Sequence, residues 1–330
     1  MSLKKICYAG DILSIFNKRS YKVYCKTRRK DGQCSQGGIS LPKEMVDKIV
    51  YVILQEEVKR LREELKEIYA LKVLRLFFNV VLNQEKGKKM FSIVTETWNP
   101  ITGCYHDCIY CWARQLALNK LRNASRYRKG FVYRLNREEF SKRFNGGVIF
   151  VSDMGDMFGS WVKSEHITKV LHHISKFPNT YFLFLTKNPA RYHEFLDVIP
   201  ENAILGTTLE TNRDDIILEG ANGRPISKAP LPSERYKAMK SLDWPLKFVS
   251  IEPILDFDIN VMVSWIKHIS PFMMYVGYDN YGHKLPEPPL RKTTELIAKL
   301  EEITLVLRKT IRPAWYETLE ASFGREPHEL

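Results

Sequence analysis

Six short apolar runs alternate with helical stretches from residue 91 onward. They predict an α/β chain: a partial (β/α)6 barrel of the TIM type with a small β-rich and helical appendage at its N-terminus. Two further observations support that outline. Every run has a charged residue at or next to its end, as strands feeding a barrel mouth do. The excess of positive charge sits almost wholly in the first 90 residues, with 20 lysines and arginines against 10 acidic residues, whereas the rest holds 31 against 28. The expected division is 1–85 for a basic N-terminal region, 86–290 for the barrel, and 291–330 for an extension of one helix and a strand.

The runs are "FSIVTET" (91–97), "GVIFVSD" (147–153), "TYFLFLTK" (180–187), "AILGTTLE" (203–210), "KFVSIEP" (247–253) and "FMMYVGYD" (272–279). Continuous apolar composition, without strict alternation, is the mark of parallel strands buried on both faces. Helical stretches such as "SEHITKVLHHISKF" (164–177) and "ERYKAMKSL" (234–242) fall between them. The runs end at Glu96, Asp153, Lys187, Glu210, Glu252 and Asp279. In parallel barrels the residues after the strands build the active site, so these charges are candidate site residues, some of them serving instead as caps or ion pairs. The tail reads as a helix, then a strand, and shows no evident chemistry.

Composition narrows the class. With 44% hydrophobic and 27% charged residues among 330, the chain has an ordinary globular balance. The longest apolar run, "VLRLFFNVVL" (73–82), is interrupted by Arg75 and is too short to span a bilayer. The N-terminus shows no leader-like apolar core. Six scattered cysteines make no disulfide framework, which points to a reducing, cytoplasmic setting.

The N-terminal region opens with "YKVYCKTRR", an extended run, then "KDGQCSQGG", a turn-rich loop, then "ISLPKEMVDKIVYVIL". This stretch resembles AbrB-like swapped-hairpin modules, whose members bind DNA as intertwined dimers. Val58, Leu61, Leu65 and Ile68 recur at helical spacing over 55–80. That stripe is either a dimer seam or a face packed on its own chain.

The chemistry concentrates in "WNPITGCYHDCIYCWARQLA" (98–117). Cys104, Cys108 and Cys111 follow the spacing C-x3-C-x2-C and account for half of the cysteines. Three thiolates on one loop suit three irons of a [4Fe–4S] cluster, leaving the fourth iron open to a small molecule. A structural zinc wants four ligands, and the second cysteine pair is missing; His106 lies between the cysteines but would strain to join them. Cys7, Cys25 and Cys34 read as isolated thiols.

With the aromatic Tyr110 before the last cysteine, the motif resembles the radical S-adenosylmethionine (SAM) superfamily. The ordered pieces "TWNPITGCYHDCIYCWA", "VIFVSDMGDMFG", "FLFLTKNPARY", "ILGTTLETN" and "FVSIEPILDFD" resemble the phage Gp37/Gp68-like branch of it, and more distantly spore photoproduct lyase. The resemblance implies that Cys104, Cys108 and Cys111 hold a [4Fe–4S] cluster whose open iron is chelated by SAM. It implies that Tyr110 lies near the adenine. Ser152, Asp153, Gly155 and Asp156 then lie where the superfamily holds the SAM amino group, although this segment departs from the common Gly-Gly-Glu form. Thr208 and Glu210 are candidates for the ribose or the carboxylate. Lys187, Glu252 and Asp279 are candidates for facing the substrate. A reductant such as ferredoxin or flavodoxin is the implied partner, and one electron would cleave SAM to methionine and a deoxyadenosyl radical that takes hydrogen from an undefined substrate. No cysteine follows Cys111, which argues against a C-terminal auxiliary cluster and against a cysteine hydrogen donor from that region; a tyrosine such as Tyr275 or Tyr278 could substitute in principle, but nothing in the sequence selects it. The other reading is a nucleic-acid-binding protein in which an Fe–S cluster or zinc is structural or sensory. The two combine if residues 1–90 deliver a nucleic-acid substrate to the barrel.

Overall fold

The computed structural model describes residues 22–28, 34–40, 90–220 and 223–317. The chain divides into two compact units, Met1–Glu67 and Ile68–Leu330. In the first, β1 (Lys22–Arg28) and β2 (Cys34–Ser40) pair antiparallel, with Lys22 opposite Ser40 and Arg28 opposite Cys34. The segment around Cys34, which reads as a loop in sequence, is therefore a strand. The stripe from Val58 to Ile68, the "LPKE" turn and Cys7 lie outside the described residues.

The second unit is built on a parallel sheet of seven strands. In spatial order these are β3 (Glu96–Trp98), β6 (Val148–Val151), β7 (Tyr181–Thr186), β8 (Ala203–Thr208), β9 (Lys247–Ile251), β10 (Met273–Val276) and β11 (Leu305–Arg308). Each strand pairs with the next one along, and β3 and β11 form two unjoined edges, so the barrel is partial and open. A short antiparallel pair, β4 (Ile101–Thr102) and β5 (Arg134–Leu135), brackets the cysteine loop. One strand exceeds the six apolar runs: β11, from the tail, adds parallel to β10 with Met273 opposite Leu305.

Helices cover the outer face: α1 (Trp112–Leu118), α2 (Ser164–Ile174), α3 (Asp214–Glu219), α4 (Pro232–Ser241), α5 (Ile259–Ile269) and α6 (Leu290–Glu301). In α2, Ile167, Val170, Leu171 and Ile174 form the buried stripe; in α6 it is Thr293, Leu296, Ile297 and Leu300. Each such aliphatic side chain contributes about 1.5–3 kcal/mol when fully buried. Asp258 caps α5 by accepting the Val261 N–H at 2.9 Å, and Ser270 ends it in the left-handed region at φ 52°.

The first apolar run departs from expectation. Pairing begins only at Glu96, and residues 91–94 turn, with Val94 N–H donating to Phe91 C=O at 3.1 Å. The reason is the open inner face of the sheet. Phe91, fully buried, fills it, with its ring 5.6 Å from Phe150, 5.4 Å from Phe248 and 4.8 Å from Tyr275. Ile93, Leu183, Ile204 and Met273 complete this inner core. Glu96, expected at a strand end, opens β3 instead and pairs with Lys142 at 2.7 Å. Among the described residues no helix is long and apolar enough to cross a membrane.

Candidate active site

The cysteine loop runs between β4 and α1 and lies on the loop that follows β6. Two glycines permit the contact. Gly103 has φ +86°, and a Cβ there would stand 2.1 Å from the Val132 carbonyl oxygen; Gly155 bridges to it, and a Cβ at Gly155 would stand 3.0 Å from the Gly103 oxygen. Cys111 is the N-cap of α1 and accepts the Arg114 N–H at 3.4 Å through its sulfur. Cys108 Sγ lies 3.1 Å from Ser227 Oγ. Burial, then the nearby charges of Asp156 and Cys108, push the Cys104 thiol well above its ordinary range. Burial also raises Cys111. Ionising these thiols would call for a compensating positive charge nearby.

All three cysteines open on one cavity of about 640 Å³, within the size range of small-molecule sites. Tyr110, Asp153, Gly155, Asp156 and Thr208 also line it, as do Lys187, Glu252 and Asp279 at the ends of β7, β9 and β10. The structure thus brings eleven of the thirteen sequence-derived site residues to one cavity. Two sit behind it. Ser152 is buried, in the left-handed region at φ 59°, with its N–H donating to Trp98 C=O at 2.7 Å. Glu210 is fully buried beneath Lys187 and Tyr110.

Glu210 is the anchor of a buried charge cluster. Arg235 Nη1 donates to it at 2.6 Å, and Lys187 Nζ and Tyr110 OH also donate to it. Burial alone would raise its carboxyl, but Arg235 and Lys187 outweigh this and hold it far below the usual carboxylate range. Lys187 Nζ also donates to Tyr110 OH at 2.7 Å. An ammonium has three donors, so one is left for the cavity. Burial, then Glu210, raises the Tyr110 phenol well above its ordinary value.

Asp156 is likewise committed. It accepts from His106 Nε2 at 2.9 Å, Thr186 Oγ1 at 2.7 Å, Lys187 N–H at 2.9 Å and Phe158 N–H at 3.0 Å. Those four bonds use the lone-pair positions of a carboxylate, so its geometry is that of a brace between the cysteine loop and β7. Asp153 differs: it accepts from Asn99 Nδ2 at 2.5 Å, and burial pushes its carboxyl up.

At the far side Glu252 pairs with Lys309 at 2.5 Å, and burial raises its carboxyl. Asp279 pairs with His283 at 2.9 Å, and His283 Nε2 lies 2.8 Å from Gln115 Nε2 of α1. Tyr275 OH is 2.8 Å from Ser92 Oγ in the inner core, and Tyr278 OH donates to Pro288 C=O at 3.0 Å. Burial pushes both phenols up to about 12. Of the two, Tyr278 lines the cavity. Sequence reasoning missed Lys309 and the His106 brace. Lys309 follows β11 directly, so the strand-end rule finds it once the seventh strand is counted. Among the described residues no three His, Cys, Asp or Glu side chains are grouped as a single metal ion requires.

An open parallel α/β barrel whose mouth joins three thiols to a ring of strand-end charges defines the class of fold and site. A family model described as DUF5131, protein of unknown function, matches residues 89–269, and the chain belongs to that family. No curated protein matches. Among solved structures the chain is similar to a spore photoproduct lyase double mutant with bound AdoMet and dinucleoside spore photoproduct, at 11% identity and a TM-score of 0.44, covering 68% of this chain and 65% of that one. It is also similar to Streptococcus suis SuiB bound to S-adenosylmethionine, at 11% identity and a TM-score of 0.40, covering 71% of this chain and 51% of SuiB. The chain therefore spans less than two thirds of the length of each.

Proposed function

We propose that this chain is a radical SAM enzyme in which Cys104, Cys108 and Cys111 hold a [4Fe–4S] cluster. The observation that carries the reading is that three thiols from one loop open on the same cavity as the charges ending β7, β9 and β10. The donor set fits: three thiolates serve three irons and leave one for a non-protein ligand. When bound, the cluster and SAM supply reductive cleavage and hydrogen-atom abstraction.

The chain's own residues bind, orient and shield. Asp153, Gly155 and Thr208 offer polar contacts on the wall nearest the cysteines. Tyr110, held by Glu210 and Lys187, presents a fixed ring beside them. Lys187 turns its remaining donor to the cavity, and Glu252 and Asp279 face the substrate from the opposite side. Lys309 holds the Glu252 carboxylate in place. Asp156, in the cavity wall, and Glu210, behind it, act as positioning residues. Apolar Val94, Phe150 and Leu185 line the inner end and exclude water.

Anaerobic reconstitution with iron and sulfide, followed by dithionite reduction with SAM, should release 5′-deoxyadenosine. Protein carrying about four irons per chain that neither binds nor cleaves SAM sinks the proposal, and one zinc per chain favours a structural metal in a binding protein.

A further inference from the structure

Between α1 and β5 the segment 119–130 carries Lys120, Arg122, Arg126, Arg128 and Lys129 and no acidic residue. Arg126 is used internally, pairing with Glu139 at 2.5 Å and Glu138 at 3.1 Å. The other four are exposed, and none forms an ion pair with another described residue. Like charges packed this densely repel one another, so the arrangement favours an anionic partner.

Exposed apolar side chains flank the segment. Leu118 is 46% exposed, Val132 41% and Tyr105 46%. The segments that carry them adjoin. A Cβ at Gly130 would lie 4.0 Å from Leu118 Cδ2, Val132 follows two residues later, and Tyr133 N–H donates to Tyr105 OH at 3.2 Å. Beneath this strip Tyr127 and Phe131 are buried with Ala113, Ala117 and Met154, and Cys104, Cys111 and Trp112 pack against them. Phe131 also lines the cavity. One layer of side chains therefore separates this face from the thiols.

We propose that this face docks an acidic, one-electron carrier protein of low potential, which delivers its electron to the group held by Cys104, Cys108 and Cys111. The inference rests on the radical SAM reading above. One electron leaves the carrier and enters that group; the carrier is oxidised, the group is reduced, and no bond is made at the surface. Protein docking sites combine exposed apolar side chains with charged ones, as these adjoining segments do, and brief electron-transfer encounters use small ones. Opposite charge speeds such encounters and makes them salt-sensitive. Nucleic-acid interfaces are more uniformly polar and basic.

The test replaces all four free cations in the full-length reconstituted protein: Lys120→Glu, Arg122→Glu, Arg128→Glu and Lys129→Glu. A second variant carries glutamine at the same positions. With reduced flavodoxin as donor at low salt, SAM cleavage should fall about tenfold or more in the charge-reversed variant and less in the glutamine variant. With dithionite both should match the parent. The parent's flavodoxin-driven rate should fall as salt is raised, and the variants' rates should not. Unchanged flavodoxin rates overturn the proposal. Equal losses with dithionite overturn it too, because the segment then supports the site. Lost binding of a labelled single-stranded oligonucleotide with an unchanged flavodoxin rate assigns the face to nucleic acid and overturns it. If the parent cleaves no SAM with dithionite, the radical SAM reading has failed; salt-sensitive flavodoxin binding, lost in the variants, then still reports on docking alone.

Discussion

His106 Nε2 lies 2.9 Å from Asp156 Oδ2, and both side chains are buried. The pair fastens the middle of the C-x3-C spacing to the carboxylate that also receives Thr186 and the Lys187 N–H. The ring of His106 stands edge-on to Trp161 at 4.8 Å, which fixes its plane. His106→Ala should therefore loosen the cysteine loop without removing a thiol. Groups that orient metal ligands typically account for about 10- to 100-fold in affinity. Reconstituted His106→Ala protein should lose iron to a chelator at least tenfold faster than the parent. Equal loss rates would show that the pair does not position the loop.

Glu210 and Arg235 form a fully buried ion pair, so breaking it from one side should cost about 3–5 kcal/mol. Glu210→Gln and Arg235→Met each leave an uncompensated group, and urea denaturation of either should shift markedly. The double variant should recover much of the loss. The acid behaviour follows from sign. The folded-state carboxyl of Glu210 lies below its ordinary value of 4.5, so its contribution is complete above that pH and is lost as pH falls below it. Asp156, where the His106 and Thr186 contacts outweigh burial, acts in the same direction. Melting temperature should drop steeply below about pH 4.5 in the parent and less steeply in Glu210→Gln. A parent curve flat through that window contradicts the assignment.

Lys309 offers the opposite sign. Burial already raises the Glu252 carboxyl, and Lys309 is the charge that restrains the rise. Lys309→Met should raise it further. A native state that holds a proton longer than the unfolded chain loses stability as pH climbs from the unfolded to the folded value. The variant should thus be less stable at pH 7 than at pH 5, relative to the parent, by chemical denaturation at both. An unchanged difference would show that the pair is too hydrated to matter.

How much of this was legible in the sequence depends on the range of the interaction. Strands β6 to β10 were readable because parallel strands buried on both faces carry continuous apolar runs. Their terminal charges reached the site for the same reason: strand ends point to one mouth. The first run misled, since nothing local distinguishes a strand from an apolar segment folded into the sheet's open inner face, where Phe91 meets Phe150, Phe248 and Tyr275 over long sequence separations. The split between cavity wall and support was equally hidden. Glu210 and Asp156 look like any other polar strand-end residues until Arg235 and His106 are placed against them.

The N-terminal region carries a separate prediction. If residues 1–85 deliver a nucleic-acid substrate, their deletion should abolish salt-sensitive oligonucleotide binding and leave SAM cleavage with dithionite intact. Binding that survives the deletion with the same salt slope would locate the nucleic-acid contact elsewhere.

Phe91 gives the cavity its remaining property. The Phe91 ring packs on Phe150, which lines the cavity, and on Phe248 and Tyr275 behind it, so among the described residues the inner side of the sheet is filled behind the site. On the reading proposed above, a polymeric substrate would then offer the cavity a terminus, an everted base or a protruding side chain instead of being threaded through it.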